Sequence, residues 1–309
     1  MDLRIFTEPQ QGASYEQLLA VAWAAEECNF NGFFRSDHYL AMGQATGLPA
    51  YTDAWTTLAG LARDTTKIRL GTLVTPVTFR PAGSFPVVVS QVDHMSGGRV
   101  EVGLGAGWYE EEHRAYGLAF PSAKARYDLL EDQLRILRGA WETPAGTAFE
   151  FAGHACSVRL DPGPLQPAQR PHPPIIMGGG GGPRSSSLAA AYADEFNAPF
   201  VGSDQAEKAY DAVRRACESQ GRDPATLIWS TANVVCCGRS EADLARRARA
   251  IGRELPELRE NGFAGSPAEV LDKIGAYAAK GAQRIYLQVL DLADLDHIRL
   301  IAEEVMPHL

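Results

Sequence analysis

Asp37 and His38 stand side by side at the end of a short apolar run, Gly32-Phe33-Phe34-Arg35. A carboxylate beside an imidazole can orient the ring and move a proton near neutral pH. In parallel α/β architectures ligands gather where strands end, because the loops there are released from packing. An isolated Asp-His pair is more often a turn cap next to an ordinary surface histidine, so its meaning depends on its company. Five consecutive glycines, Gly178–Gly182, follow the apolar Ile175-Ile176-Met177 and precede Pro183-Arg184. Without Cβ atoms their N–H groups can converge on a phosphate, and the start of a helix adds partial positive charge. Ser185, Ser186 and Ser187 supply hydroxyls in the first turn. No Gly-Lys-Ser follows and the run lies mid-chain, so it is neither a Walker loop nor a Rossmann fingerprint. A mobile glycine loop is the plainer alternative, but the place between strand and helix favours a phosphate cradle.

Two further segments share this construction. Gly103–Gly107 leads from an apolar run into Trp108-Tyr109-Glu110-Glu111-Glu112-His113. Small residues there admit a flat ring against the backbone, or simply close helix–strand packing. Gly71-Thr72-Leu73-Val74-Thr75 runs into Pro76, which cannot continue a ladder, so the chain must bend and present backbone at the same rim.

The elements that hold these segments alternate. Strands are expected at Leu3–Thr7, Phe33–Arg35, Ile68–Val74, Val100–Leu104, Ile175–Met177, Glu195–Asn197, Ile228–Cys236 and Arg284–Val289. Between them lie helices opening at the capping box Ser14–Gln17 and at Asp53, and over Phe85–Met95, Ser122–Trp141, Arg184–Tyr192, Asp204–Ser219, Glu241–Arg253 and Ser266–Lys280. Eight strand–helix units with β-branched, buried strands predict a parallel sheet closed into a (β/α)8 TIM barrel; an open doubly wound sheet is the alternative. Phe149–Leu160 reads as a hairpin, and Pro162–Pro174, with six prolines, must be extended. Together they predict an insertion between strands 4 and 5, lying over the rim of the barrel. All 309 residues are read as one domain.

Composition narrows the class. A chain of this length buries roughly three quarters of its unfolded surface and needs no metal or disulfide staple. The net charge of −9 argues against nucleic acid and anionic membranes as partners. With no long apolar run and no leader-like opening, neither a transmembrane helix nor a signal peptide is expected. The five cysteines are odd in number and lack ligand spacing, so a reduced cytoplasm and no metal are expected, with Cys236-Cys237 as small core residues. Trp23 and Trp55 are expected in the core.

In order along nearly the whole chain, Ser36-Asp37-His38, Gly71–Arg80, Arg99–His113 and Pro174–Arg184 resemble the bacterial luciferase-like monooxygenase superfamily. Within it they resemble the branch of oxidoreductases that use the deazaflavin coenzyme F420, where Ser-Asp-His replaces the Glu-His-His of the flavin branch. The resemblance implies a homodimeric barrel with the cofactor ring in its mouth and a small-molecule substrate. It implies that Asp37 contacts the deazaflavin head group and that His38 handles a proton. Leu73-Val74 matches a non-proline cis peptide that buttresses the ring, and Thr75 a cofactor contact. Ala106, Gly107 and Glu111 match further cofactor positions, and Gly178, Gly179, Gly180 and Gly181 the backbone that holds the phosphate. Trp108 departs from the pattern: it stands where the sugar-phosphate dehydrogenases of the branch carry an acidic proton donor. Glu111 replaces an amide there, and the phosphate-binding lysines of that subgroup have no counterpart. The implied reaction is hydride transfer between the deazaflavin and an activated alkene, imine or carbonyl. FMN-dependent monooxygenation is the alternative, and a cofactor-binding barrel without turnover a second.

Overall fold

A computed structural model describes residues 1–43, 45–49 and 51–309. Eight parallel strands close on themselves: β1 (Asp2–Thr7), β2 (Gly32–Arg35), β3 (Arg69–Thr72), β5 (Val100–Gly105), β8 (Ile175–Gly178), β9 (Glu195–Pro199), β10 (Ile228–Cys237) and β12 (Arg284–Val289), with β12 pairing back onto β1. The expected TIM barrel is therefore present. Helices α1 (Tyr15–Glu27), α2 (Ala54–Asp64), α3 (Phe85–Ser96), α5 (Ala123–Glu142), α6 (Pro183–Tyr192), α7 (Ser203–Ser219), α8 (Glu241–Ala250) and α10 (Pro267–Ala279) surround it. The caps read from sequence hold: Ser14 with Gln17 and Ser266 with Glu269 form reciprocal capping boxes, and Asp53 accepts from the Thr56 N–H.

The structure departs from the expectation in three ways. The third strand does not run through Val74. It stops at Thr72, passes the cis peptide Leu73–Val74, and resumes as the two-residue β4 (Thr75–Pro76) against the end of β5. Gly103 permits this detour, since a Cβ there would lie 2.0 Å from the Thr72 carbonyl oxygen. Short helices α4 (Glu110–Ala115) and α9 (Leu255–Asn261), the short strand β11 (Phe263–Gly265) and a closing helix α11 (Leu295–Glu304) had no counterpart in the sequence reading. Trp55 is buried as expected, but Trp23 lies on the outer face of α1, about half exposed, its indole N–H donated to the Asp64 carbonyl at 2.8 Å.

The insertion is a hairpin, β6 (Phe149–Ala152) and β7 (Ser157–Leu160), clamped to α5 by the buried Asp132 carboxylate, which accepts from the N–H groups of His154, Ala155 and Cys156. The proline-rich segment then reaches the amino-terminal rim, opposite the Asp37-His38 end: Gln169 bonds Asp93, Arg69 and the Val100 carbonyl where β5 begins. Cys236 and Cys237 are buried, and burial pushes the Cys237 thiol up to about 12. No helix among the described residues is long and apolar enough to cross a membrane, and no group of metal-ligating side chains occurs among them.

Candidate active site

The carboxyl end of β2 delivers Ser36, Asp37 and His38 into different environments. Ser36 donates its hydroxyl to Gln10 Oε1 at 2.5 Å. Asp37 turns inward and is fully buried, accepting from Thr75 Oγ1 at 2.8 Å and from the Arg80 guanidinium. Arg80 also grips Asp53 at 2.6 Å. Burial opposes ionisation of Asp53, but Arg80 and the Tyr39 hydroxyl prevail and hold its carboxyl at about 2. Asp37 thus ties the β2 loop to β4 and α2. It is not among the residues that line the cavity, and the His38 ring is held by another carboxylate. Thr75 is likewise buried, its hydroxyl shared among Asp37, Thr72 and the Trp55 indole N–H.

His38 is held by a residue the sequence reading missed. Its Nδ1 lies 2.9 Å from Glu112 Oε2, and the fully buried Glu112 uses Oε1 to accept from the Tyr39 and Leu40 N–H groups. With Glu112 as acceptor, Nδ1 carries the hydrogen and Nε2 is left for chemistry. Three successive glutamates, Glu110 to Glu112, look equivalent in sequence. The register of α4 turns Glu112 and His113 inward and leaves Glu111 exposed.

The cavity beside His38 measures about 380 Å³. Leu73, Val74, Ala106, Gly107, Gly178 and Gly179 line it, and the sequence reading did not pick out the further wall residues Glu8, Asn197 and Phe200. Phe6, Pro76 and Pro199 add to an apolar lining suited to a flat ring. Gly180 and Gly181 lie beyond this lining. Gly181 is required by the fold, with φ +76° and a Cβ that would meet the α7 backbone at 2.9 Å. Around Gly178, Gly179 and Gly182 a Cβ would make only ordinary contacts, and at Gly180 it would meet nothing within 4 Å. The fold alone does not demand glycine at these positions. Beside the cradle the buried Ser186 hydroxyl has no partner, and Asn197 Oδ1 in the cavity wall has none either. Orphaned buried polar atoms call for a ligand or water. An open glycine run, a largely apolar slot and unused polar atoms are compatible with a ring-bearing phosphorylated cofactor, whose phosphate Gly178–Gly180 at the head of α6 would hold.

The description of the luciferase-like monooxygenases matches residues 1–285. The F420-dependent hydroxymycolic acid dehydrogenase of Mycobacterium tuberculosis is 31% identical over 216 residues, covering 69% of this chain and 56% of that protein. The pyrimidine monooxygenase RutA of Cronobacter turicensis is 30% identical over 172 residues, covering 52% and 43%. The chain spans about half the length of the curated relatives it matches. Among solved structures, an F420-dependent secondary alcohol dehydrogenase in complex with an F420–acetone adduct superposes with a TM-score of 0.83 at 18% identity, covering 99% and 98% of the two chains. The FMN complex of the oxygenating constituent of 3,6-diketocamphane monooxygenase from Pseudomonas putida gives 0.78 at 17%, covering 100% and 99%. Identities that low speak for the fold. The match over residues 1–285 speaks for the family, and the chain belongs to the luciferase-like monooxygenases.

Proposed function

We propose that the protein is an F420-dependent oxidoreductase acting on a small organic substrate, an activated alkene, imine or carbonyl. The observation that carries this reading is His38, whose Nδ1 is clamped by a buried carboxylate while the residue lines a largely apolar cavity. The deazaflavin would supply hydride chemistry at its ring. Leu73, Val74, Ala106 and Gly107 would hold that ring and keep water from it, and the glycine cradle would take the phosphate. His38 Nε2 would take or return the proton that leaves the ring as hydride moves, with Glu112 fixing the imidazole's orientation. Ser36-Asp37-His38 and the likeness to an F420-dependent dehydrogenase support the deazaflavin.

FMN is the second reading. Asp37 is engaged by Arg80 inside the fold, and pyrimidine monooxygenases are among the relatives. Titrating the purified protein with F420 and with FMN, followed by fluorescence quenching, separates the two. Quenching of F420 at lower concentration than FMN is expected. Micromolar or tighter FMN binding with no F420 quenching would sink the deazaflavin reading.

A further inference from the structure

We propose that Glu8 is the proton donor to the substrate, standing at the seam between the ring cavity and a second chamber that receives the substrate; this rests on the reductase reading above. The second chamber measures about 910 Å³ and opens on the same end of the barrel. It shares Glu8, Met42 and Phe200 with the ring cavity, so the two spaces meet at these residues. Its walls differ from the apolar slot: Gln11, Asn233, Arg253 and Gln288 offer amide and guanidinium groups. Such walls suit a substrate with a hydrogen-bonding tail, its reducible carbonyl placed at the seam.

The seam is built to hold a group in place. Phe200 adopts φ +56°, an uncommon conformation for a bulky side chain, and presents a half-exposed ring where the spaces meet. Strained backbone of this kind persists where the surroundings enforce it, and it gathers at ligand clamps. Glu8 follows the last residue of β1 and is mostly buried. Gln11 Nε2 donates to its Oε2 at 3.3 Å. Burial outweighs the opposing pull of Gln11, His38, Gln288 and Arg253, and raises the carboxyl above the usual range. The ionisable groups facing it are His38 from the β2 loop and Arg253 from the loop after α8, with Glu257 of α9 in the same chamber. Arg253 is already engaged by both oxygens of Glu257, at 3.0 and 2.6 Å, which blunts its pull on Glu8.

Hydride transfer to a carbonyl needs two proton transfers at two places. The substrate carbon gains the hydride given up by the reduced deazaflavin, and the C=O π pair moves onto oxygen. That oxygen takes the Glu8 proton, leaving a carboxylate and an alcohol, while the proton left on the oxidised ring passes to His38 Nε2. Glu8 then regains a proton from water in the open chamber. Trp108, at the ring cavity, has only an indole N–H and cannot serve as the acid.

Two readouts test this. In the protein without cofactor, a raised Glu8 contributes stability below its unfolded pKa that is lost as pH rises through the folded one. Glu8→Gln should therefore gain thermal stability over the parent progressively as pH rises above the ordinary carboxylate range. With reduced F420 and 2-cyclohexen-1-one or acetophenone as probes, Glu8→Gln should bind F420 within a few-fold of the parent yet turn over roughly 10²–10⁴ more slowly, with partial recovery in Glu8→Asp. A stability difference that does not vary with pH, or Glu8→Gln turnover equal to the parent, would overturn the role of Glu8. A parent that binds F420 but reduces neither probe would overturn it as well. Failure of the parent to bind F420 would instead overturn the proposed function, and the cofactor-free measurement would still decide the protonation of Glu8.

Discussion

The two ends of the barrel are built on opposite rules. At the amino-terminal end four buried charges, Arg4, Glu101, Glu195 and Arg284, satisfy one another. Glu101 accepts from Arg4 at 2.7 Å and from Arg69, while Arg284 binds Glu195 and reaches Asp2 at 2.7 Å. Each carboxylate oxygen of Glu101 and Glu195 has a donor. At the carboxyl-terminal end the cavity is apolar, glycines keep it open, and Ser186 and Asn197 retain unused hydrogen-bonding atoms. Buried charge is tolerated when it is paired, and a buried orphan is tolerated when something will fill the space. One end is completed by the chain itself, and the other needs a molecule from outside. A line of bonds joins them: Asn197 Nδ2 donates to Ser230 Oγ at 2.8 Å, which donates to Glu195 Oε1 at 2.5 Å.

If this contrast is right, substitutions at the two ends should fail in different currencies. His38→Ala should slow hydride transfer by roughly 10²–10⁴ while shifting cofactor affinity only a few-fold and costing less stability than the loss of Glu101, since Glu112 keeps the Tyr39 and Leu40 N–H donors. Single-turnover rates beside equilibrium titration check this; parent-like rates would remove the proton role. Glu101→Ala should do the reverse, since it strands Arg4 in the interior: a loss of about 3–5 kcal/mol in denaturant unfolding, with normal cofactor affinity in the fraction that stays folded. A cost below about 1 kcal/mol would mean water or Asp2 replaces the carboxylate.

Acid should reach the molecule elsewhere before it reaches the charge cluster at the amino-terminal end. Burial above all, with the Arg247 charge, pushes His297 down to about 3, and its Nε2 accepts from the Cys237 N–H at 2.8 Å. Its neutral form contributes stability that is present above an unfolded pKa near 6.5 and is lost as pH falls toward the folded value. Glu101, held at about 2 by Arg4, Arg284 and Arg69 against its burial, loses its contribution only below an unfolded value near 4.5. Between about pH 6.5 and 4.5 the stability lost through His297 should be about 2–3 kcal/mol, and His297→Gln should flatten that limb. An unchanged limb would assign the acid sensitivity to another group. The smallest effect is expected at the cradle. Gly180→Val should leave stability within about 0.5 kcal/mol and weaken cofactor binding by roughly tenfold, or about 1.4 kcal/mol. Equal binding would make the glycine run a hinge.

The barrel was legible because its strands and helix caps are local: Ser14 with Gln17, Asp53, and Ser266 with Glu269 announce themselves over a few residues. The wall of the cavity was legible where small residues end strands, at Ala106-Gly107 and Gly178-Gly179. What sequence could not supply was the choice among like residues and the partner across the fold. Glu111 and Glu112 differ only by the register of a one-turn helix. Asp37 finds Arg80 43 residues away, and His38 finds Glu112 74 residues away, so their adjacency in the chain misled about which belonged to the other. Glu8 and Phe200 carry no motif. They matter because two cavities meet there.

Glu112 binds the His38 ring and the Tyr39 and Leu40 amides with one carboxylate. The imidazole and the backbone behind it therefore share one anchor, and a swing of the Glu112 side chain would free both. Hydrogen–deuterium exchange at those two amides becomes a gauge of how long the histidine stays aimed, readable before any cofactor or substrate is added.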